Sequence, residues 1–296
     1  MSQSSVSLRR ANLTGSLWMV GAMAAFAAED ALLKGAAATL PLAQVLVLFG
    51  AGGALVFAGL ARLRGIALWH PDVLGPPMRV RAFFEVFGRL FYVLAIVLTP
   101  LSSATVILQA TPLVVVAGAA LFFGETVGWR RWSAIFLGLA GVLVIIRPGA
   151  ESFTPLSLLA VLGMIGFAGR DLASRAAPAT LSTDILGVYG FLAIVVAGLL
   201  YALWEMRAPV PVDVTTGLLL GAAVLCGVLA YTALMKAMRT GEVSAVTPFR
   251  YTRLLFGIVL GVAVFGESLS PDMLTGSALI VLAGLFIMWR GGQRAA

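Results

Sequence analysis

Residues 16–41, SLWMVGAMAAFAAEDALLKGAAATLP, and residues 157–182, SLLAVLGMIGFAGRDLASRAAPATLS, align without a gap at an offset of 141. Ser16 and Ser157, Met23 and Met164, Phe26 and Phe167, and Asp30 and Asp171 coincide, as do Thr39-Leu40 and Thr180-Leu181. Lys34 faces Arg175. Both copies read as apolar helices, and each carries an acid inside its hydrophobic run. A duplicated apolar segment with matched internal charges is the trace of a membrane protein built from two related halves, an organisation common among carriers.

Composition supports a membrane chain. Of 296 residues, 60% are hydrophobic and only 11% charged, with mean hydropathy +1.02. About a quarter of the residues in a soluble domain are charged, so a soluble fold of this length is excluded. The net charge of +7 does not call for nucleic acid, because the cytoplasmic loops of membrane proteins concentrate Lys and Arg. The single cysteine, Cys226, sits in an apolar run, cannot form an internal disulfide and reads as packing. The basic lead MSQSSVSLRRANLTG has the character of a signal n-region. No convincing cleavage site follows it, so the first span is expected to be retained.

A helix needs about 17–25 apolar residues to cross ~30 Å of hydrocarbon. Ten spans are expected, near 15–36, 41–62, 79–98, 101–123, 131–147, 155–176, 184–204, 214–238, 243–265 and 272–289. Thr99-Pro100, Gly124-Glu125-Thr126 and Gly149 separate nearly contiguous ones. The longest loop, 63–78, holds His70-Pro71 and Pro76-Pro77 and is too short for a soluble domain.

With the N-terminus inside, the cytoplasmic set is Arg9, Arg10, Arg62, Arg64, Arg79, Arg81, Arg130, Arg131, Arg175, Lys236, Arg239, Arg290 and Arg294. The outer set is Lys34, Arg147 and Arg207. Thirteen against three puts both termini in the cytoplasm. Five spans per half is an odd number, so the second half runs upside down. The Glu125 turn carries Arg130 and Arg131, whereas its repeat partner from Glu267 to Asp272 has acids and no base. Trp18, Trp129, Trp132, Trp204 and Trp289 fall near span ends and Trp69 in a cytoplasmic loop, as interfacial anchors do. The expected fold is an all-α membrane protein, one transmembrane domain over 1–296. Ten helices form two inverted five-helix halves, 15–149 and 155–292, around a central cavity, N-in and C-in.

The duplication runs to the end of each half. Phe123-Gly124-Glu125-Thr126 matches Phe265-Gly266-Glu267-Ser268, and Leu139-Ala140-Gly141 with Arg147 matches Leu282-Ala283-Gly284 with Arg290. A proline-bearing apolar helix, a small-residue helix, G-E-[TS] and a helix with L-A-G, once per half, resembles the drug/metabolite transporter superfamily, EamA-type. The resemblance covers essentially the whole chain, and within the superfamily the chain is similar to exporters of aromatic amino acids. It implies a multi-pass carrier of the cell inner membrane, monomer or homodimer, without cofactor or metal. Such a carrier moves small amphiphilic metabolites, most of all aromatic or neutral amino acids, outward by alternating access. It also implies that the first four helices of each half line the cavity, with the fifth and tenth at the periphery.

Ionisable groups at membrane depth are costly unless paired or hydrated, which makes them functional candidates. Asp30 and Lys34 lie one turn apart with Glu29 beside them; Asp171 and Arg175 repeat the spacing with Arg170 beside them. Two readings fit: i,i+4 bridges whose basic ends snorkel to opposite interfaces, or charges that gate the path. Glu29 and Arg170 differ in sign at matched positions, which suits a directional role. Glu85, Arg89 and Tyr92 share a face of the third span, either as an internal ion pair or as a polar cavity wall. In the ninth span, Arg250 and Arg253 point within about 60° of each other, since three residues turn a helix ~300°. No acid in that helix neutralises Arg253, so it needs Glu29, Asp30 or Glu85 on another helix, or a ligand carboxylate or phosphate. The fourth span offers Thr105, Gln109 and Thr111-Pro112, polar but uncharged. The expected substrate site is Arg253, Arg250, Arg89, Tyr92, Gln109 and Tyr231, with Pro112 and Pro248 as hinges.

An intramembrane enzyme is the rival class. The sequence lacks H-E-x-x-H, its one histidine is the loop residue His70, and no buried serine has a histidine to activate it. A channel would need a ring of polar groups, usually supplied by an oligomer. Among carriers the alternative is an organic-phosphate or nucleotide-sugar substrate, which the arginines also suit.

Overall fold

The computed structural model describes the chain except residues 1–2, 125–127, 147–153, 176–177, 179, 241–245 and 293–296. Within the helices it leaves aside the side chains of residues 3–9, 123, 131, 175, 238–239, 247–248 and 287–292. Among the described residues every regular element is helical. In chain order they are α1 (Gln3–Ala36), α2 (Leu42–Leu63), a 3₁₀ turn (Pro71–Leu74), α3 (Pro76–Leu98), α4 (Leu101–Leu108), α5 (Thr111–Phe123) and α6 (Trp129–Ile146). The second half holds α7 (Ser157–Arg175), α8 (Thr183–Glu205), α9 (Val214–Thr240), a 3₁₀ turn (Thr247–Tyr251), α10 (Thr252–Phe265) and α11 (Pro271–Gly292). Among the described residues six stretches are long and apolar enough to cross a membrane, namely α1, α2, α7, α8, α9 and α4 with α5 taken together, and α6 and α11 hold shorter apolar stretches. The third crossing falls short of that standard because α3 carries Arg79, Arg81, Glu85 and Arg89.

Prolines and glycines mark the ends. Thr99 is extended (φ −132°, ψ 170°) because the ring of Pro100 disfavours the helical region for the residue before it. Gly124 and Gly266, the glycines of the two G-E motifs, close α5 and α10 at φ 66° and 64°. Any side chain there would be strained, so glycine is the natural helix terminator.

The fourth crossing is not one helix. It breaks at Gln109-Ala110, between α4 and α5, and the ninth opens as a 3₁₀ turn before α10. Thr111 Oγ1 donates to the Leu108 carbonyl at 2.5 Å, and Thr252 Oγ1 to that of Phe249 at 2.7 Å. The offset of 141 relates these two bonds residue for residue. Pro112 sits in the first turn of α5, just after the break, where a missing N–H leaves no bond unmade, and Pro248 lies in the first turn of the 3₁₀ segment that precedes α10.

The packing has the symmetry of the repeat. α1 lies along α9 and α3 along α7, and the repeat operation exchanges these pairs. α2 packs on α8 and α6 on α11, pairs that the same operation returns to themselves, and α1 on α10 exchanges with α7 on α5. Every principal contact therefore joins one half to the other around a pseudo-two-fold axis. The α3–α7 crossing is backbone on backbone: a Cβ on Gly166 would stand 2.3 Å from Gly88 Cα, and one on Gly88 2.9 Å from Phe167 N. Small residues bring helices this close in a bilayer, where dispersion contacts drive association.

Candidate functional site: a charge network between the halves

Three polar groups lie along the crossing of α1, α3, α4, α7 and α10. The most deeply buried starts from Glu29 and Asp30, consecutive on α1 and each 1% exposed. Arg89 and Tyr92, three residues apart on one face of α3, meet them. Arg89 Nη1 donates to Glu29 Oε1 at 2.7 Å and Tyr92 Oη to Asp30 Oδ2 at 2.9 Å. Arg253 Nη2 of α10 donates to the same Asp30 oxygen at 2.5 Å. The Arg253 guanidinium lies over Phe26 and Tyr92, 5.1 and 5.5 Å from the ring centres. That of Arg89 lies 5.9 Å from both Phe49 and Phe167. Two acids and two bases cancel in net charge, the condition under which ions persist out of water. Hydrogen bonding is incomplete, however: among the described residues, Glu29 Oε2, Asp30 Oδ1, Arg89 Nε and Arg253 Nε are buried without a partner. Gly227 of α9 makes room for the Glu29 carboxylate, since a Cβ there would stand 3.1 Å from Oε2.

Toward the cytoplasmic end, as the basic residues orient the chain, Glu85 bridges Arg81 and Arg170 at 3.3 Å each. Arg170 also donates to its neighbour Asp171 from Nη2 at 2.8 Å and Nε at 3.0 Å. Arg250 Nη1 is 3.6 Å from Asp171, and Gln109 Nε2 donates to the Arg250 carbonyl at 3.0 Å. Side-chain exposure here is 23–28% for Asp171, Arg170 and Arg250, against 1% for Glu29 and Asp30.

At the opposite end, Glu267 folds back from the Gly266 turn onto the start of α4. It accepts from Leu101 N at 2.6 Å, Ser102 N at 2.9 Å and Ser102 Oγ at 2.6 Å. A carboxylate is well placed on the free N–H groups and positive dipole end of a helix. Lys34 Nζ donates to the Ile96 and Thr99 carbonyls at 2.7 and 2.6 Å and lies 3.7 Å from Glu267. A cleft of about 450 Å³ opens nearby between Leu40, Val97, Tyr201 and Arg207; none of the expected binding residues lines it.

Several expected pairings are replaced. Asp30 does not bridge to Lys34, because Arg253 and Tyr92 take Asp30 while the carbonyls at the C-terminal end of α3 take Lys34. Asp171 pairs with Arg170 and Arg250; the side chain of Arg175 lies outside the described residues. Glu85 and Arg89 share a helix but not a bond: Glu85 turns to Arg170 of α7 and Arg89 to Glu29 of α1. The expected binding residues divide. Arg253, Arg89 and Tyr92 meet in the buried group, and Arg250 and Gln109 belong to the inner one. Tyr231 stands edge-on to Phe57 at 5.6 Å. Pro112 lies at the break in the fourth crossing; the side chain of Pro248 is outside the described residues. Sequence reading did not assign Arg81 or the capping role of Glu267. The duplicated G-E motif facing a helix start after Pro100 was the available signal for Glu267. Among the described residues no group of three or more His, Cys, Asp or Glu could hold a metal ion.

The EamA-like transporter family model matches twice, over residues 13–147 and 155–289. A riboflavin transporter of Vibrio cholerae is 30% identical over 295 residues, covering 95% of each chain. A pseudopaline exporter of Pseudomonas aeruginosa is 30% identical over 276 residues, 91% of this chain and 94% of the exporter. An S-adenosylmethionine uptake transporter of Rickettsia bellii is 27% identical over 210 residues, 71% of each chain. A solved crystal structure superposes with TM-score 0.61 over 95% of this chain and 98% of the other at 19% identity, a likeness of fold alone. Two matches that take in both halves, over a helical fold whose halves pack about a pseudo-two-fold axis, place the chain in the EamA-like transporter family, as a multi-pass membrane transporter of small metabolites and not an enzyme.

Proposed function

We propose that the chain exports small amphiphilic metabolites that bear a carboxylate, with neutral and aromatic amino acids as the class, by alternating access across the inner membrane. One observation carries the reading. Arg253 is held by its Nη2 bond to Asp30 and by two aromatic faces, while its Nε is buried without a partner. A guanidinium presents a planar fork that fits a carboxylate through two parallel bonds. Arg89 and Tyr92 adjoin it, while Arg250 and Gln109 belong to the inner network on the cytoplasmic side. The substrates named for the relatives, riboflavin, S-adenosylmethionine and pseudopaline, are small metabolites that differ from one another. The partial exposure of Arg170, Asp171 and Arg250 in the inner network suits loading from the cytoplasm. Outward direction is taken from the resemblance to exporters.

Uptake into proteoliposomes tests the site, with amino acids compared against their neutral amides. The native protein is expected to prefer the carboxylate. Arg253→Lys keeps the charge but loses the fork and should weaken the preference; Arg253→Ala should abolish it while the protein still inserts. Equal preference in native protein and alanine variant would make Arg253 a structural partner of Asp30. A second reading, an organic-phosphate or nucleotide-sugar carrier, rests on the inner network, where Arg81, Arg170 and Arg250 outnumber Glu85 and Asp171. Saturable exchange of phosphate esters in the same vesicles would favour it.

A further inference from the structure

The buried network is short of partners on both signs of charge. Among the described residues, Glu29 Oε2 and Asp30 Oδ1 accept nothing, and Arg89 Nε and Arg253 Nε donate nothing. Both carboxylates are 1% exposed, so each orphaned oxygen is a desolvated acceptor that stabilises nothing as it stands. Glu29 and Asp30 are consecutive on α1 and are held by Arg89 and Arg253, so the two acids and two bases form one network. An anion that took Arg253 from Asp30 would leave that carboxylate buried and unneutralised, at a large energetic penalty. A ligand bringing its own cation avoids this.

We infer that Glu29 and Asp30 form the ammonium half of the substrate site, and that the ligand is a zwitterion which inserts into the Asp30–Arg253 bridge as a charge-neutral unit. Its carboxylate takes the Arg253 fork, and its ammonium donates to Asp30 and Glu29 through the oxygens now without partners. The inner copy of the motif cannot do the same. Arg170 stands where Glu29 stands in α1, and it donates twice to its own neighbour Asp171 and once to Glu85. Asp171 also has Arg250 beside it. The sign inversion between matched positions thus leaves one pair of acids, on α1 alone, to receive a cationic group. The inference rests on the proposed role of Arg253 and adds a requirement that the earlier test does not probe.

The full-length protein in nanodiscs is titrated with the twenty standard amino acids and, for each that binds, with its desamino acid and its amide. Loss of the ammonium removes hydrogen bonds between charged groups, so the desamino acid should bind about tenfold more weakly or worse. The amide should be weakened similarly through Arg253. A Glu29→Gln/Arg89→Gln double variant removes a neutral pair and leaves the Asp30–Arg253 bridge in place. It should narrow the gap between amino acid and desamino acid while keeping the gap between amino acid and amide. Equal binding of amino acid and desamino acid, with the amide still rejected, overturns the ammonium site and leaves the carboxylate reading standing. Equal binding of acid and amide, or binding of none of the amino acids, overturns both.

Discussion

Asp30 shows how much one side chain decides. It receives Tyr92 and Arg253 on a single oxygen, so it joins α1, α3 and α10 at one point. Removing one member of a buried ion pair leaves the other charge uncompensated, at about 3–5 kcal/mol. Asp30→Asn should therefore destabilise the protein by an amount of that order, and Arg253→Gln likewise. The double variant should lose much less than the sum, since neither charge is stranded. Unfolding in detergent of the native protein, both single variants and the double variant closes the cycle. Additive losses would show that the pair is not coupled and that Tyr92 alone holds Asp30.

At the end opposite the inner network, Glu267 ties the turn after α10 to the start of α4. Its carboxylate bonds the N-terminus of α4 from the turn after α10, and Lys34 at the end of α1 lies beside it. Glu267→Gln keeps size and shape but removes the charge that favours the free N–H groups of α4. The expected outcome is a larger outward-accessible fraction. In a Cys226→Ser background, a cysteine at Ser103 should react faster with a membrane-impermeant maleimide in the Glu267→Gln protein than in its parent. Unchanged labelling, with transport intact, would mean that the outer ends separate elsewhere. The breaks at Gln109-Ala110 and before Thr252 are the companion features: each divides a crossing where the two halves meet, as a bend requires.

For the whole molecule, the pairing of α1 with α9 and α3 with α7 makes two equivalent seams, and rocking about the pseudo-two-fold axis would open one while closing the other. Labelling of single cysteines placed near Asp30 and near Asp171 should therefore change in opposite directions when substrate is added. Identical changes at both would argue for a static pathway. The orientation has its own check. Reporter fusions at residues 70, 128 and 296 should read cytoplasmic, and fusions at 150, 208 and 269 external. An external C-terminus is incompatible with inverted halves.

The sequence by itself determined the helical membrane fold, the ten crossings and the two repeats, because hydropathy over a span length and self-similarity are properties of the chain alone. It also determined that Arg253 must find a partner off its own helix, since no acid lies within reach along it. Even the equivalence of the two breaks was written in the offset of 141, which puts Thr252 in the place of Thr111 and Arg250 in that of Gln109. Partner choice was decided only in three dimensions. Spacing of four along a helix offered Asp30 to Lys34 and Glu85 to Arg89, each worth a few tenths of a kcal/mol on an exposed helix. The fold offered each acid a base or donor on another helix. Away from water those contacts prevail, because each also neutralises a charge that would otherwise be stranded on a neighbouring helix. Which of Glu29, Asp30 and Glu85 meets which arginine follows from how α1, α3, α7 and α10 cross, and that is a matter of tertiary packing.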